Sequence, residues 1–130
     1  MKEAQEAHRS DAEAKILIVD DEEYIRDVLG EILDMEGYRC TLVPNAAQAR
    51  KCLEEQTYEL ILCDIRMPGE SGLDFIEDVL NRYEDTAAVM VSGMDDPLIA
   101  DAALKIGVYD YIIIPFDVNA VLISVTNALR

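Results

Sequence analysis

Three aspartates and a serine follow short apolar runs in the sequence. Their side chains are the best candidates for taking part in chemistry. The runs cover residues 16–19, Leu60–Cys63 and 87–91, and they are followed by Asp20 and Asp21, by Asp64 and by Ser92. Apolar runs of this length are typical of strands buried in a parallel sheet. Ligands of such sheets bind outside the carboxyl ends of the strands. We therefore expect the four side chains to converge at one edge of a sheet.

Three carboxylates at one edge require a positive counter-charge. Two like charges about 4 Å apart repel by roughly 4 kcal/mol at an effective dielectric near 20. Mg²⁺ suits a site of few carboxylates that keeps coordination positions for water and phosphate. The acidic run Asp20-Asp21-Glu22 could instead complement the dipole of a following helix. Its position after an apolar strand, matched by that of Asp64, favours a Mg²⁺ site formed by Asp20, Asp21 and Asp64.

The segment after Asp64 has the residues of a turn that leads into a helix. Pro68 and Gly69 interrupt regular structure, and Ser71 with Asp74 three residues later resembles a capping box. Asp64 is therefore predicted at the carboxyl end of a strand, immediately before a loop.

Five apolar runs alternate with five amphipathic stretches along the chain. The predicted strands cover residues 16–19, Arg39–Val43, Leu60–Cys63, 87–91 and 109–114, and the second is polar enough for a sheet edge. Asn45, Asp96 and Asp117 are predicted helix caps, and Gly37 and Gly107 predicted helix ends. Right-handed crossovers between parallel strands place helices on both faces of a sheet. We predict an α/β domain over residues 15–130, preceded by a flexible polar leader over residues 1–14.

Two of the amphipathic stretches make specific predictions about which residues face the sheet. The predicted inward residues are Ile99, Ala102, Ala103 and Ile106 in the fourth helix, and Val118, Val121, Leu122, Val125 and Leu129 in the fifth.

Charge and cysteine content exclude several classes of function. The chain of 130 residues has 11 Lys and Arg against 27 Asp and Glu, a net charge of −16, which disfavours direct binding of nucleic acid or anionic membranes. Cys40, Cys52 and Cys63 are widely spaced and predicted to be buried free thiols in a reducing compartment. With no apolar run long enough for a membrane span and no signal-peptide core, we expect a cytoplasmic domain.

Four motifs together resemble the receiver domain of bacterial two-component response regulators. They are Ile-Leu-Ile-Val-Asp-Asp-Glu at residues 16–22, Leu-Ile-Leu-Cys-Asp-Ile-Arg-Met-Pro-Gly-Glu-Ser-Gly-Leu at 60–73, Val-Met-Val-Ser-Gly at 89–93 and Tyr-Asp-Tyr-Ile-Ile-Ile-Pro-Phe at 109–116. The resemblance covers residues 15–130 and implies a flavodoxin-like fold with strand order 2-1-3-4-5.

The same resemblance implies roles for individual residues. Asp64 would accept a phosphoryl group from a partner histidine kinase or phosphotransfer protein. Mg²⁺ would be bound directly by Asp21 and Asp64, mainly through water by Asp20, and by the backbone carbonyl of Arg66. Such a domain assists its own phosphorylation and dephosphorylation but is not an enzyme in the ordinary sense.

Two further positions are implied to form the switch. Ser92 would hydrogen-bond the bound phosphoryl group, with Gly93 leaving it room, and Tyr111 would swing inward when Ser92 moves. Ser92 on its own could equally be an ordinary loop hydroxyl.

Position 114 departs from the family pattern. Receiver domains have a lysine before the proline of the last motif, and this chain has Ile114. The phosphoryl group therefore has one fewer neutralising partner. Lys105 is predicted at a helix end away from the site, and Arg66 could either swing over the site or remain a solvated loop residue. Resemblance also implies a cis bond between Ile114 and Pro115.

The leading hypothesis is a phosphorylatable receiver that controls an output domain beyond Arg130 or a separate effector. The alternative is an atypical receiver, distinguished by Ile114 in place of the lysine, that acts by docking to a partner or by forming a homodimer, without phosphorylation. A phosphatase of the dehalogenase type ranks last, because it requires a second acid at the position of Arg66.

Overall fold

The computed structural model describes residues 14–130, which form one parallel sheet with helices on both faces. The strands are β1 (Lys15–Val19), β2 (Arg39–Val43), β3 (Leu60–Cys63), β4 (Ala87–Ser92) and β5 (Asp110–Ile113). The helices are α1 (Glu23–Met35), α2 (Ala46–Glu55), α3 (Gly72–Arg82), α4 (Pro97–Lys105) and α5 (Val118–Ala128). The predicted α/β class is confirmed.

The strand order is β2-β1-β3-β4-β5, as the resemblance implied, and all neighbouring strands are parallel. The register pairs Val19 with Cys63, so that β1 and β3 end level with each other. The backbone N–H of Asp64 donates to the carbonyl of Val19 at 3.1 Å. The aspartates that follow these two strands are therefore held side by side at one edge.

Side-chain caps fix where most of the helices begin. The side chains of Asn45, Ser71, Asp96 and Asp117 accept hydrogen bonds from backbone N–H groups in the first turns of α2, α3, α4 and α5, respectively. These bonds satisfy donors that a helix N-terminus leaves free. The predicted caps are thus confirmed. Gly37 and Gly107 follow α1 and α4 with φ of 89° and 108°, conformations that glycine adopts without strain.

Two apolar layers enclose the sheet. One layer joins α2, α3 and α4 to one face through residues such as Leu53, Phe75 and Ala103. The other joins α1 and α5 to the opposite face through residues such as Leu29 and Val125. The apolar side chains of β1, β3 and β4 alternate between these two layers, which holds the carboxyl ends of the three strands in fixed relation.

Several predicted boundaries and faces differ in the structure. The predicted inward position of Ala102 is wrong, because the nine-residue helix α4 buries only Ala103 fully. Val118 is 47% exposed, since it begins α5 before the helix reaches the sheet. The fifth strand is shorter than predicted. The three cysteines are free thiols, but only Cys63 is fully buried; Cys40 lies on the edge strand β2 and Cys52 on α2, and both are partly exposed. Ala14 is buried and its carbonyl accepts a hydrogen bond from Arg39 at 3.0 Å; the rest of the predicted leader lies outside the described residues.

In the described part of the chain, the helices are too short and too polar to cross a membrane.

Candidate functional site

Asp20, Asp21 and Asp64 converge at the carboxyl edge of the sheet. Each offers a carboxylate oxygen, and the three oxygens lie within 4.8 Å of one another. Asp20 and Asp64 are buried, whereas Asp21 is exposed. The convergence arises because β1 and β3 are adjacent and end at the same level.

This donor set fits a hard divalent cation. All three side chains are oxygen ligands, which is the chemistry that Mg²⁺ prefers, and three carboxylates leave coordination positions for water or a phosphoryl oxygen. Asp21 provides an open approach from solvent. Asp21 and Asp64 with the carbonyl of Arg66 are the candidate direct ligands, with Asp20 beside them.

Burial is the largest cause of the raised pKa of Asp20. Burial, reinforced by the negative charges of Asp64, Asp21 and Glu22, raises the pKa of this carboxyl from 3.8 to about 7. The backbone N–H of Glu22 donates to Oδ1 of Asp20 at 2.9 Å and opposes the shift. Without a cation, the site thus holds a proton near neutral pH, as expected for clustered carboxylates.

The pKa of Asp64 is also raised, chiefly by burial. The nearby hydroxyl of Ser92 and the backbone N–H groups of Ile65 and Arg66 favour the ionised carboxylate and limit the shift.

An open cavity of about 540 Å³ lies next to the aspartates. Its walls are formed by Asp21, Ile65, Arg66, Met67, Pro68, Gly69, Ser71 and Met94. Its walls belong mainly to the loop between β3 and α3, together with Met94 after β4. Among the three aspartates, the cavity is lined by Asp21, the exposed one, and by the two residues that follow Asp64. Arg66 is exposed on this loop, which leaves both of its predicted orientations open.

Ser92 and Tyr111 are linked through Met94. The backbone N–H of Met94 donates to Oγ of Ser92 at 3.2 Å, and the hydroxyl of Tyr111 donates to the carbonyl of Met94 at 2.8 Å. The Tyr111 ring is partly buried and packs against the apolar layer that contains Phe75. Burial raises the pKa of Tyr111, and its contact with Ser92 opposes that rise. The predicted switch residues therefore lie in one connected group with Asp64.

Neither Ile114 nor Lys105 supplies the positive charge of the missing lysine. Its N–H donates to the carbonyl of Ser92 at 2.8 Å, and its side chain packs against the apolar layer beneath α1 and α5. The Ile114-Pro115 bond is cis, as the resemblance implied. Lys105 is exposed and pairs with Asp101 at 3.0 Å on α4. Neither residue brings a positive charge to the aspartates.

Sequence reasoning missed three residues of the site. Arg26 on α1 donates through Nη1 to the carbonyl of Asp20 at 2.8 Å. Met94 connects the two switch residues, and Gly72 packs directly against the backbone of Asp64. A basic residue one turn into the helix after the acidic run was a signal for Arg26. The role of Met94 depends on backbone atoms, which no side-chain pattern indicates.

Comparison with known proteins gives concordant matches. The family profile described as "Response regulator receiver domain" matches residues 16–126. The Hydrogenase transcriptional regulatory protein HoxA of Cupriavidus necator is 36% identical over 122 residues, which cover 93% of this chain and 25% of HoxA. The transcriptional regulatory protein AruR of Pseudomonas aeruginosa is 34% identical over 121 residues, covering 89% of this chain and 49% of AruR. The chain spans from a quarter to a half of the length of these two curated relatives.

A similar solved structure is the beryllofluoride-activated NtrC4 receiver domain dimer, determined in solution. It matches with a TM-score of 0.84 and 30% identity, covering 88% of this chain and 95% of that one. The similarity therefore extends over nearly all of both chains.

Proposed function

Because this chain belongs to the receiver domain family of response regulators, we propose that Asp64 accepts a phosphoryl group in a Mg²⁺-dependent reaction. The donor is a partner histidine kinase or phosphotransfer protein. The observation that carries the proposal is the convergence of three carboxylate oxygens within 4.8 Å beside an open cavity. One of these carboxylates, Asp64, is buried, and the hydroxyl of Ser92 and two backbone N–H groups near it favour its ionised form.

The proposed reaction is an in-line transfer. A carboxylate oxygen of Asp64 attacks the phosphorus of a phosphohistidine; the new P–O bond forms as the P–N bond breaks, and the leaving imidazole takes up a proton. Positioning and charge neutralisation supply most of the catalysis in phosphoryl transfer. Mg²⁺, when bound, supplies positive charge for the carboxylates and for the transferred oxygens. Asp21, Asp64 and the carbonyl of Arg66 would hold it directly, and Asp20 would do so through water.

The proposed switch uses the group formed by Ser92, Met94 and Tyr111. Once Asp64 carries a phosphoryl group, the Ser92 hydroxyl donates to one of its oxygens. This changes the position of Met94, and therefore of the carbonyl that holds the Tyr111 hydroxyl. A change in Tyr111 alters the surface formed by α4, β5 and α5. An output domain in a longer chain or a separate effector responds to this surface, and we place the protein in the cytoplasm.

One observation favours a second candidate function. Ile114 gives the site an apolar side chain packed under α1 and α5 where the family has a lysine. In this alternative proposal, the receiver acts by docking to a partner or by forming a homodimer, and it does not use the phosphoryl group.

Mass spectrometry separates the two candidates. The protein is incubated with acetyl phosphate in Mg²⁺ and, in parallel, in EDTA. We expect a single phosphoryl adduct in Mg²⁺ alone, absent from Asp64→Asn. An adduct that persists in Asp64→Asn contradicts the assignment of the phosphoacceptor. The lack of any adduct at saturating donor supports the second candidate.

A further inference from the structure

We infer that Arg50 on α2 is a positioning residue for the divalent-ion site, because it holds the loop between β3 and α3 in place. The inference rests on the proposed function, since it concerns the Mg²⁺ ligands that this loop presents. Arg50 is fourteen positions before Asp64 in the chain and belongs to none of the motifs of the sequence.

The guanidinium of Arg50 joins three segments of the chain. Its Nε and Nη2 donate to the two carboxylate oxygens of Glu70 at 3.2 and 2.6 Å, and its Nη1 donates to Oδ2 of Asp78. Glu70 lies in the loop, and Asp78 lies on α3. Two parallel bonds to one carboxylate fix its orientation as well as its distance. Arg50 therefore ties the loop to both α2 and α3.

The surroundings of Arg50 hold its own side chain in place. Its Cζ lies 5.2 Å from the centroid of the Phe75 ring, which is fully buried in the apolar layer. The side chain of Arg50 is 34% exposed, and that of Glu70 is 35% exposed. A planar guanidinium resting on an aromatic face loses little further freedom when it binds carboxylates. The loop is thus held by an Arg50 side chain that is itself held in place by Phe75.

The segment that Arg50 holds through Glu70 continues directly into the turn beside the metal site. Glu70 follows Gly69, whose φ is 89°, and precedes the cap Ser71. A second cavity of about 460 Å³ is lined by Arg50 and Glu70 and also by Asp21, Pro68 and Gly69, which line the first cavity too. The cavity beside Arg50 and the cavity beside the site therefore share walls formed by Asp21 and by the turn at Pro68 and Gly69. A loop held by Glu70 at one end and by β3 at the other keeps the Arg66 carbonyl ready to bind the ion.

Loss of Arg50 has two opposing effects on Mg²⁺ affinity. Glu70 loses its partner and Asp78 keeps Arg82, and the loss of one positive charge near the site favours cation binding. Freedom gained by the loop disfavours it, because that freedom must be lost again when the ion binds. The charge effect is weakened by salt, whereas the ordering effect is not.

The test is Mg²⁺ titration of the intact domain by calorimetry at low and high salt, with Arg50→Gln and Arg50→Lys. We expect both variants to bind Mg²⁺ about tenfold more weakly than the original protein at high salt. Arg50→Lys keeps the charge but has no planar fork, so a positioning role predicts that it fails to restore affinity. Restoration of affinity by lysine overturns the inference.

Arg82→Gln is the matched control. Arg82 also pairs with Asp78, at 3.0 Å, and its removal changes the net charge equally, but it does not contact Glu70. We expect its Mg²⁺ affinity to stay within twofold of the original at high salt. Equal weakening by Arg82→Gln and Arg50→Gln overturns the inference.

Glu70→Gln provides a second route if Arg50→Gln does not fold. It weakens the same contact from the loop side, and we expect it to reduce Mg²⁺ affinity in high salt as well; unchanged affinity overturns the inference. Failure of the original protein to bind Mg²⁺ at all would instead reject the proposed function, so the two failures are distinguishable.

Discussion

A Cβ atom added to Gly72 would lie 1.8 Å from the backbone carbonyl oxygen of Asp64. The N–H of Gly72 also donates to the carbonyl of Ile65 at 2.7 Å. The first residue of α3 is therefore packed directly against the backbone of the proposed phosphoacceptor. Any side chain at position 72 must displace either the helix or Asp64.

We expect Gly72→Ala to lower the free energy of unfolding by roughly 1–3 kcal/mol, the usual effect of overpacking, and to weaken Mg²⁺ binding. Urea denaturation in EDTA measures the first effect, and titration with Mg²⁺ the second. Gly93→Ala is the control for stability, because a Cβ at Gly93 meets nothing within 4 Å. Equal losses of stability in the two variants would show that the close contact with Asp64 has no consequence.

The raised pKa of Asp20 predicts how stability depends on pH. In the folded state this pKa is about 7, against 3.8 for the ordinary carboxyl. Between these values the folded protein binds more protons than the unfolded chain, so its free energy of unfolding falls as pH rises through that window. The contribution is fully present below the lower value. We expect this fall in EDTA, and a smaller one in Asp20→Asn, whose amide oxygen can still accept from Glu22.

Chemical denaturation at a series of pH values checks this prediction. Mg²⁺ should stabilise the original protein more at about pH 8 than at about pH 5.5, because it binds deprotonated carboxylates. Identical pH profiles for the original protein and Asp20→Asn would contradict the electrostatic account of the site.

Ile114→Lys is predicted to strengthen the response to a phosphoryl analogue. A lysine restores a charge-assisted hydrogen bond of the kind that contributes about 1.5–3 kcal/mol, which corresponds to roughly 10- to 100-fold in affinity for beryllofluoride. Ile114→Met is the control, since it lengthens the side chain without charge. Amide spectra followed during titration measure both affinity and conformational change. Indistinguishable titrations of the lysine and methionine variants would refute the role assigned to this position.

Much of the site was predictable because its side chains follow apolar strands. Asp20, Asp64 and Ser92 each stand directly after such a run, and parallel pairing brings these ends together. The order of the strands came from the resemblance, since hydrophobic periodicity does not specify which strands are neighbours.

The sequence did not predict the features that depend on contacts between distant elements of the fold. Ala102 belongs to an apolar stripe, but whether the stripe is covered depends on how far α4 extends over the sheet. Arg50 is an ordinary helix residue until α2 is placed beside the loop that contains Glu70. Met94 acts through its backbone N–H and carbonyl, which every residue possesses.

The most direct measurement is a crystal structure of the domain with Mn²⁺, located by its anomalous scattering, and beryllofluoride. We predict one ion bound by Asp21, Asp64 and the backbone carbonyl of Arg66, with Asp20 next to it through water and the beryllofluoride group on Asp64. An ion bound away from these aspartates at saturating Mn²⁺, or beryllofluoride attached to another residue, would contradict the proposed site.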